Sequence, residues 1–217
     1  MASSASSRWS ASRLLTGARN RTARALGAVS ARLRRLRTPR LLKDYDRLHL
    51  GSGGRLLDGW ANVDINGLGN LVWDLTKPLP IPPGRVRFVY SEHFIEHIPQ
   101  EATRRLLGHA RRVMAADGVI RISTPDLKSL LDDYQAGRLI RMEHADWQPA
   151  TLCRMVNEAM RNWDHVFLYD EAELTALLRE CGFKDVRRVR WGESEFPELS
   201  GLESRPDYRD LILEARV

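Results

Sequence analysis

The hexapeptide Glu92-His93-Phe94-Ile95-Glu96-His97 carries two histidines and two carboxylates, each pair four residues apart. One helical turn sets such a pair on one face. A zinc site of the HExxH kind needs its glutamate directly after the first histidine. Here Glu96 precedes the second histidine, and no third ligand stands out, so no metal is expected from the spacing. Two readings remain for Glu96 and His97. They face a cleft and move protons, or Glu96 pairs locally while His97 packs under the next helix. His165, in "NWDHVFLYD", is the stronger catalytic candidate. A neutral imidazole there can take a proton from a hydroxyl or an amine. The competing reading is a ring that only hydrogen-bonds Asp126 or a backbone carbonyl. Tyr169 and Asp126 are further candidates for orienting a substrate.

A second group of residues surrounds "LHLGSGG", Leu48 to Gly54. A Walker phosphate loop requires a lysine and a Ser/Thr after its last glycine, and Arg55-Leu56-Leu57 follows instead. The dinucleotide fingerprint requires a third glycine three residues after the second, and that place is Leu56. What remains is a tight turn, Gly51-Ser52-Gly53-Gly54, where a ligand can approach the backbone closely. Asp64 lies thirteen residues beyond Gly51, at the end of the next apolar run. A carboxylate there can accept hydrogen bonds from both hydroxyls of a ribose, or simply cap a turn. Asp74 ends a third apolar run and admits the same two readings, with an adenine amino group as its partner.

The elements that must hold these residues are legible as alternating strands and helices. "RLHL", Ala61–Ile65, "NLVW", Val86–Ser91 and Asp117–Ser123 read as strands, and the fourth is apolar almost throughout, as a buried parallel strand should be. Pro99 to Ala115 places Leu106, Leu107, Ala110, Val113 and Met114 on one helical face. Glu171 to Glu180 reads as a helix ended by Gly182. "VRRVRW" and "YRDLILEARV" close the chain as two strands with no helical pattern between them, which predicts an antiparallel pair at one edge. The fold class expected is α/β, an open twisted Rossmann-like sheet of seven strands, mostly parallel. An aromatic-rich insertion, about 127–164, holds Tyr134, Trp147, Met155 and Trp163 and is placed to roof a substrate pocket.

The charge is divided unevenly. The whole chain of 217 residues carries a net +6, yet residues 1–40 contain ten arginines and no acid. Removing those ten from the totals of 34 basic and 28 acidic residues leaves 24 against 28. The body is therefore acidic, which disfavours a nucleic-acid partner. The organisation expected is a basic arm over 1–42, with an amphipathic helix over 21–37, and one domain over 43–217. The arm suits a solvated helix docked on the domain, a peripheral contact with an anionic membrane, or organelle targeting in a eukaryote. Two cysteines and no apolar run of membrane-spanning length otherwise suggest a cytoplasmic protein.

Seven segments stand in register with a known family: "LHLGSG", "GWANVDI", "WDLTKPLPIP", "VYSEHFIEHI", "ARRVMAADGVIRISTPD", "HVFLYD" and "LLRECGF". Together they resemble the class I S-adenosylmethionine-dependent methyltransferases, most of all the small "type 11" group. The resemblance covers roughly 46–217. It implies S-adenosylmethionine as cofactor, with Gly51, Ser52 and Gly53 along its methionine part. Asp64 and Ile65 would stand at the ribose, Asp74 and Leu75 beside the adenine, and Ser91, Glu92 and His93 would close over it. Catalysis would fall to His165, His97 or Tyr169. Two positions depart from the family: His49 stands where an acid is common, and Ala116-Asp117-Gly118 replaces a Pro-Gly-Gly turn. Transfer from a sulfonium is an in-line displacement that needs mainly proximity and orientation, so no conspicuous catalytic constellation is expected. The acceptor expected is a small molecule or a glycan, at oxygen or nitrogen. The competing reading is a catalytically silent cofactor-binding or membrane-recruited interaction protein; the oligomeric state is not legible.

Overall fold

The computed structural model describes residues 44–142, 146–205 and 209–217. The basic arm, including the helix expected over 21–37, lies outside the described residues. Seven strands form one sheet: β1 (Arg47–Leu50), β2 (Ala61–Asp64), β3 (Leu71–Val72), β4 (Val86–Glu92), β5 (Met114–Pro125), β6 (Lys184–Arg188) and β7 (Asp210–Arg216). Their order is β3-β2-β1-β4-β5-β7-β6. All neighbours are parallel except β7, which runs antiparallel to both β5 and β6. The strand order reverses between β1 and β4, where open α/β sheets place their ligands.

Among the described residues, four α-helices accompany the sheet: α1 (Gln100–Val113), α2 (Leu127–Gln135), α3 (Leu152–Ala159) and α4 (Glu171–Glu180). The strands alternate side chains between two faces. Leu48 and Leu50 of β1, Ile120 and Ile122 of β5, and Leu211, Leu213 and Ala215 of β7 share one core. Leu106, Leu107, Ala110 and Val113 of α1 and Leu174, Leu177 and Leu178 of α4 pack into the same core. The opposite face is partly polar. His49 Nδ1 meets the Asn62 side-chain oxygen at 3.0 Å, and Arg121, fully buried, holds Glu203 at 2.5 Å and Glu214 at 2.6 Å. Glu214 stands directly across from Arg121 in the β5–β7 register.

Two elements differ from the sequence expectation. β5 begins at Met114, because Met114 pairs with Val86 across a register shift that the apolar pattern does not show. The 127–164 insertion contains α2 and α3, each capped by the residue before it. The Asp126 carboxylate accepts from the Lys128 and Ser129 amides, and the Thr151 hydroxyl accepts from the Arg154 amide. Cys153 and Cys181 are free thiols. Among the described residues no helix is long and apolar enough to cross a membrane.

Candidate active site

Two regions meet at the carboxyl ends of the central strands. The first is the glycine turn after β1. Gly51 and Gly53 adopt φ of 69° and 55°, in the left-handed region that glycine visits without strain. A side chain on Gly51 would overlap the Phe94 ring, whereas one on Gly53 would meet nothing within 4 Å. The Val63 carbonyl accepts from the Gly51 and Ser52 amides, at 2.9 and 3.2 Å. Asp64, at the end of β2, accepts from the Gly53 amide through Oδ2 and from the Asn66 amide through Oδ1, both at 2.9 Å. Asp64 therefore braces the turn while staying half-buried, and each oxygen keeps a further lone pair.

The other residues expected around a cofactor spread out from this turn. Ile65 presents an exposed apolar side chain beside Asp64. The hydroxyls of Ser52 and Ser91 are buried without a hydrogen-bond partner. Asp74 lies two residues past β3, where its Oδ1 accepts from the amide and the hydroxyl of Thr76, and Leu75 turns into the main core. Glu92 is engaged elsewhere. It accepts from Arg55 Nη1 and from the Ser204 amide, both at 2.7 Å, and so fastens the chain after the glycine turn to the loop before β7.

The second region is a cavity of about 630 Å³ beyond the ends of β4 and β5, walled by α2, α3 and the turn before His165. His93, His97 and His165 line it, with Met142, Trp147 and Trp163 among its other walls. His93 leaves β4 with φ of 47°, a conformation costly for a branched-free L residue by about 1–2 kcal/mol. Its amide donates to the Ser123 carbonyl at 2.9 Å, which holds the kink. Its Nε2 lies 2.9 Å from Asp210 Oδ2 and its Nδ1 3.2 Å from Glu96 Oε1. Burial alone would lower its pKa, but the hydrogen bonds and charges of Asp210 and Glu96 outweigh it and raise the value to about 9. At neutral pH His93 is thus a buried imidazolium between two carboxylates.

Glu96 is fully buried within the 3-10 turn Ile95–His97. Its Oε2 accepts from the Thr124 hydroxyl at 3.0 Å. Its backbone carbonyl accepts from the Val166 and Phe167 amides at 2.7 and 3.2 Å, which draws the His165 segment against His97. The two rings meet edge to face with centroids 5.0 Å apart. The preceding turn carries Trp163 and Asp164 at φ of 58° and 66°, and Trp163 stands 5.6 Å from the His165 ring and 5.5 Å from Trp147. His165 Nδ1 donates to the Ala159 carbonyl at 2.7 Å. A carbonyl can only accept, so the neutral ring carries its lone pair on Nε2. Burial holds the His165 pKa below the ordinary histidine value, although the Ala159 bond opposes it.

Tyr169 does not reach the cavity, whereas Asp126 lines it. Tyr169 is fully buried in the main core with its hydroxyl on Thr103, and burial raises its pKa. Asp126 caps α2 and accepts from Arg188 at 2.7 Å. His97 and His165 do meet at one cavity. His93 joins them rather than the glycine turn, and the ion pairs of Asp133 with Arg138 and Arg209 complete one wall. Asp210 carried no signal in the sequence, because its partners His93 and Ser123 lie far away along the chain, and Asp133 is joined to the distant Arg209 as well as to the nearby Arg138.

The profile of the methyltransferase-domain family matches residues 34–188. The chain belongs to that family, a class I S-adenosylmethionine-dependent methyltransferase by fold. Among solved structures it is similar to a SAM-dependent methyltransferase from Archaeoglobus fulgidus, at 19% identity and a TM-score of 0.53 over 86% of this chain and 94% of that one. It is also similar to a SAM-dependent methyltransferase from Thermotoga maritima described as a possible histamine N-methyltransferase. That pair shares 15% identity and a TM-score of 0.51 over 85% of this chain and 88% of the other. At these identities the likeness concerns the fold. No curated protein matches the chain. The glycine turn fits the family's cofactor: Gly53 is open to an approaching group, two buried hydroxyls lack partners, and Asp64 has spare acceptor capacity.

Proposed function

We propose that the chain methylates a nucleophilic oxygen or nitrogen of a small-molecule or glycan acceptor seated in the cavity over β4 and β5. The supporting observation is the His97–His165 pair on the wall of that cavity, at the carboxyl ends of β4 and β5 and so beside β1, whose end carries the glycine turn. S-adenosylmethionine, when bound, supplies an activated methyl group. Gly51, Ser52, Gly53 and Ser91 would line its amino-acid part, and Asp64 its ribose. The Trp163 and Trp147 faces and the apolar wall exclude water and orient the acceptor. His165, fixed with its lone pair on Nε2 and kept neutral by burial, accepts the acceptor's proton, and His97 stands beside it. A volume of about 630 Å³ suits a metabolite or one sugar ring and is small for a folded macromolecule.

The test is transfer of labelled methyl from S-adenosylmethionine to panels of hydroxyl- and amine-bearing metabolites and sugars. Acceptor-dependent S-adenosylhomocysteine release that His165→Ala abolishes is expected. Tight cofactor binding without turnover on any member, or turnover indifferent to His165, would contradict the proposal.

A further inference from the structure

We infer that Glu96, His97 and His165 form a binding site for a divalent first-row transition cation at the wall of the cavity. One ligand atom from each lies within 4.8 Å of the other two. Around a cation about 2.1 Å from each atom, tetrahedral neighbours sit roughly 3.4 Å apart, so side-chain rotations of about an ångström close the set. The donors, two imidazoles and one carboxylate, suit zinc, cobalt or iron better than the hard, all-oxygen cations. The cavity leaves the fourth position open, which is the pattern of reactive rather than structural sites.

Two features beyond proximity point to a cation. Glu96 Oε1 is buried, faces His93 Nδ1 at 3.2 Å, and lies 3.8 Å from His97 Nε2. A carboxylate oxygen keeps a further lone pair beside one such contact, so it can also ligate a cation on the His97 side. The Ala159 carbonyl also fixes His165 in the tautomer whose Nε2 can ligate. The outer contacts are those that metal ligands usually have: Thr124 on Glu96 Oε2, His93 on the far side of Glu96 Oε1, and the Ala159 carbonyl on His165. With a cation bound, His165 Nε2 is a ligand rather than a free base, and the cation in its place would polarise an oxygen or nitrogen entering the cavity and favour its deprotonated form. That role rests on the acceptor reading above, while the binding itself does not.

The experiment titrates Co²⁺ alone into the untagged full chain after chelator treatment, without S-adenosylmethionine or acceptor. Visible absorption and competition by Zn²⁺ are read, and thermal unfolding is followed in parallel. One saturable site per chain is expected, with a metal-dependent rise in Tm. His97→Ala and His165→Ala should each remove the site, and Glu96→Gln should weaken it at least tenfold. His109→Ala, in α1 and outside the cavity, should leave it intact. The half-exposed His97 keeps the test usable should the buried Glu96 variant fail to fold. No saturable binding by the wild type, or binding retained in the His97→Ala/His165→Ala double variant, would overturn the inference. Because no methyl transfer is measured, such a failure leaves the proposed reaction standing, and an inactive enzyme would leave a positive titration standing.

Discussion

His97 and His165 meet edge to face with ring centroids 5.0 Å apart, although 68 residues separate them along the chain. The contact is created by one backbone carbonyl. Glu96 accepts from the Val166 and Phe167 amides and thereby docks the end of the insertion on the turn after β4. Replacing either ring by alanine should lower kcat by about 10²–10⁴-fold, the usual contribution of a positioned acid–base group. Cofactor affinity, measured by calorimetry, should change less than about threefold, within roughly 0.7 kcal/mol. Equal losses in cofactor affinity and turnover would place the pair in the cofactor site instead.

Gly51 and Phe94 are a matched pair. The left-handed φ of Gly51 and the overlap with the Phe94 ring both oppose a side chain there. Strain of about 1–2 kcal/mol and overpacking of about 1–3 kcal/mol should add in Gly51→Ala. Chemical unfolding should show a loss of about 2–5 kcal/mol. Phe94→Ala in the same chain should recover part of it, as a coupling of about 1 kcal/mol in the double-mutant cycle. Strict additivity would mean that the backbone alone imposes the glycine.

His49 should make the fold sensitive to acid. Burial, opposed by the Asn62 hydrogen bond, lowers its pKa from the ordinary value to about 4. Its folded form therefore resists a proton that the unfolded chain accepts. The contribution is complete above about pH 6.5, falls as pH drops toward 4, and levels off below that. The loss over that window should reach about 3 kcal/mol. Urea unfolding of the wild type and of His49→Gln across the window checks it. The difference between the two should grow as pH rises, and parallel curves would refute the assignment.

Arg121 anchors the polar face of the sheet. It is buried against Glu203 and Glu214, so Arg121→Met leaves Glu203 without its cation and Glu214 with Arg187 alone, and should cost about 3–5 kcal/mol. The triple variant Arg121→Met/Glu203→Gln/Glu214→Leu removes the stranded charges and should regain most of that in the same denaturant titration. A triple variant no more stable than the single one would show that shape, not charge, governs this face.

Much of the fold was legible because its signals are local. β1, β2, β4 and α1 announce themselves by their apolar pattern, and α4 by the Gly182 that ends it. The antiparallel edge followed from the missing helix between β6 and β7. The site was less legible because its contacts cross the chain. The third partner of Glu96 and His97 lies 68 residues beyond His97, beyond the reach of any spacing rule. His93 read as a neighbour of the glycine turn because it follows β4. The positive φ at His93 sends its ring instead to Asp210, and no residue pattern encodes that turn. Tyr169 read as a site residue from its motif, but its side chain faces the α1 side of the sheet, where Thr103 takes its hydroxyl.

The account depends most on cofactor binding at the glycine turn. Calorimetric titration of the full chain with S-adenosylmethionine and S-adenosylhomocysteine, for wild type and Asp64→Ala, measures this directly. One site in the wild type is predicted, weakened about ten- to a hundredfold in the variant by loss of charge-assisted hydrogen bonds worth about 1.5–3 kcal/mol. Wild-type protein that binds neither compound, or an Asp64→Ala variant that binds as tightly as wild type, would contradict it.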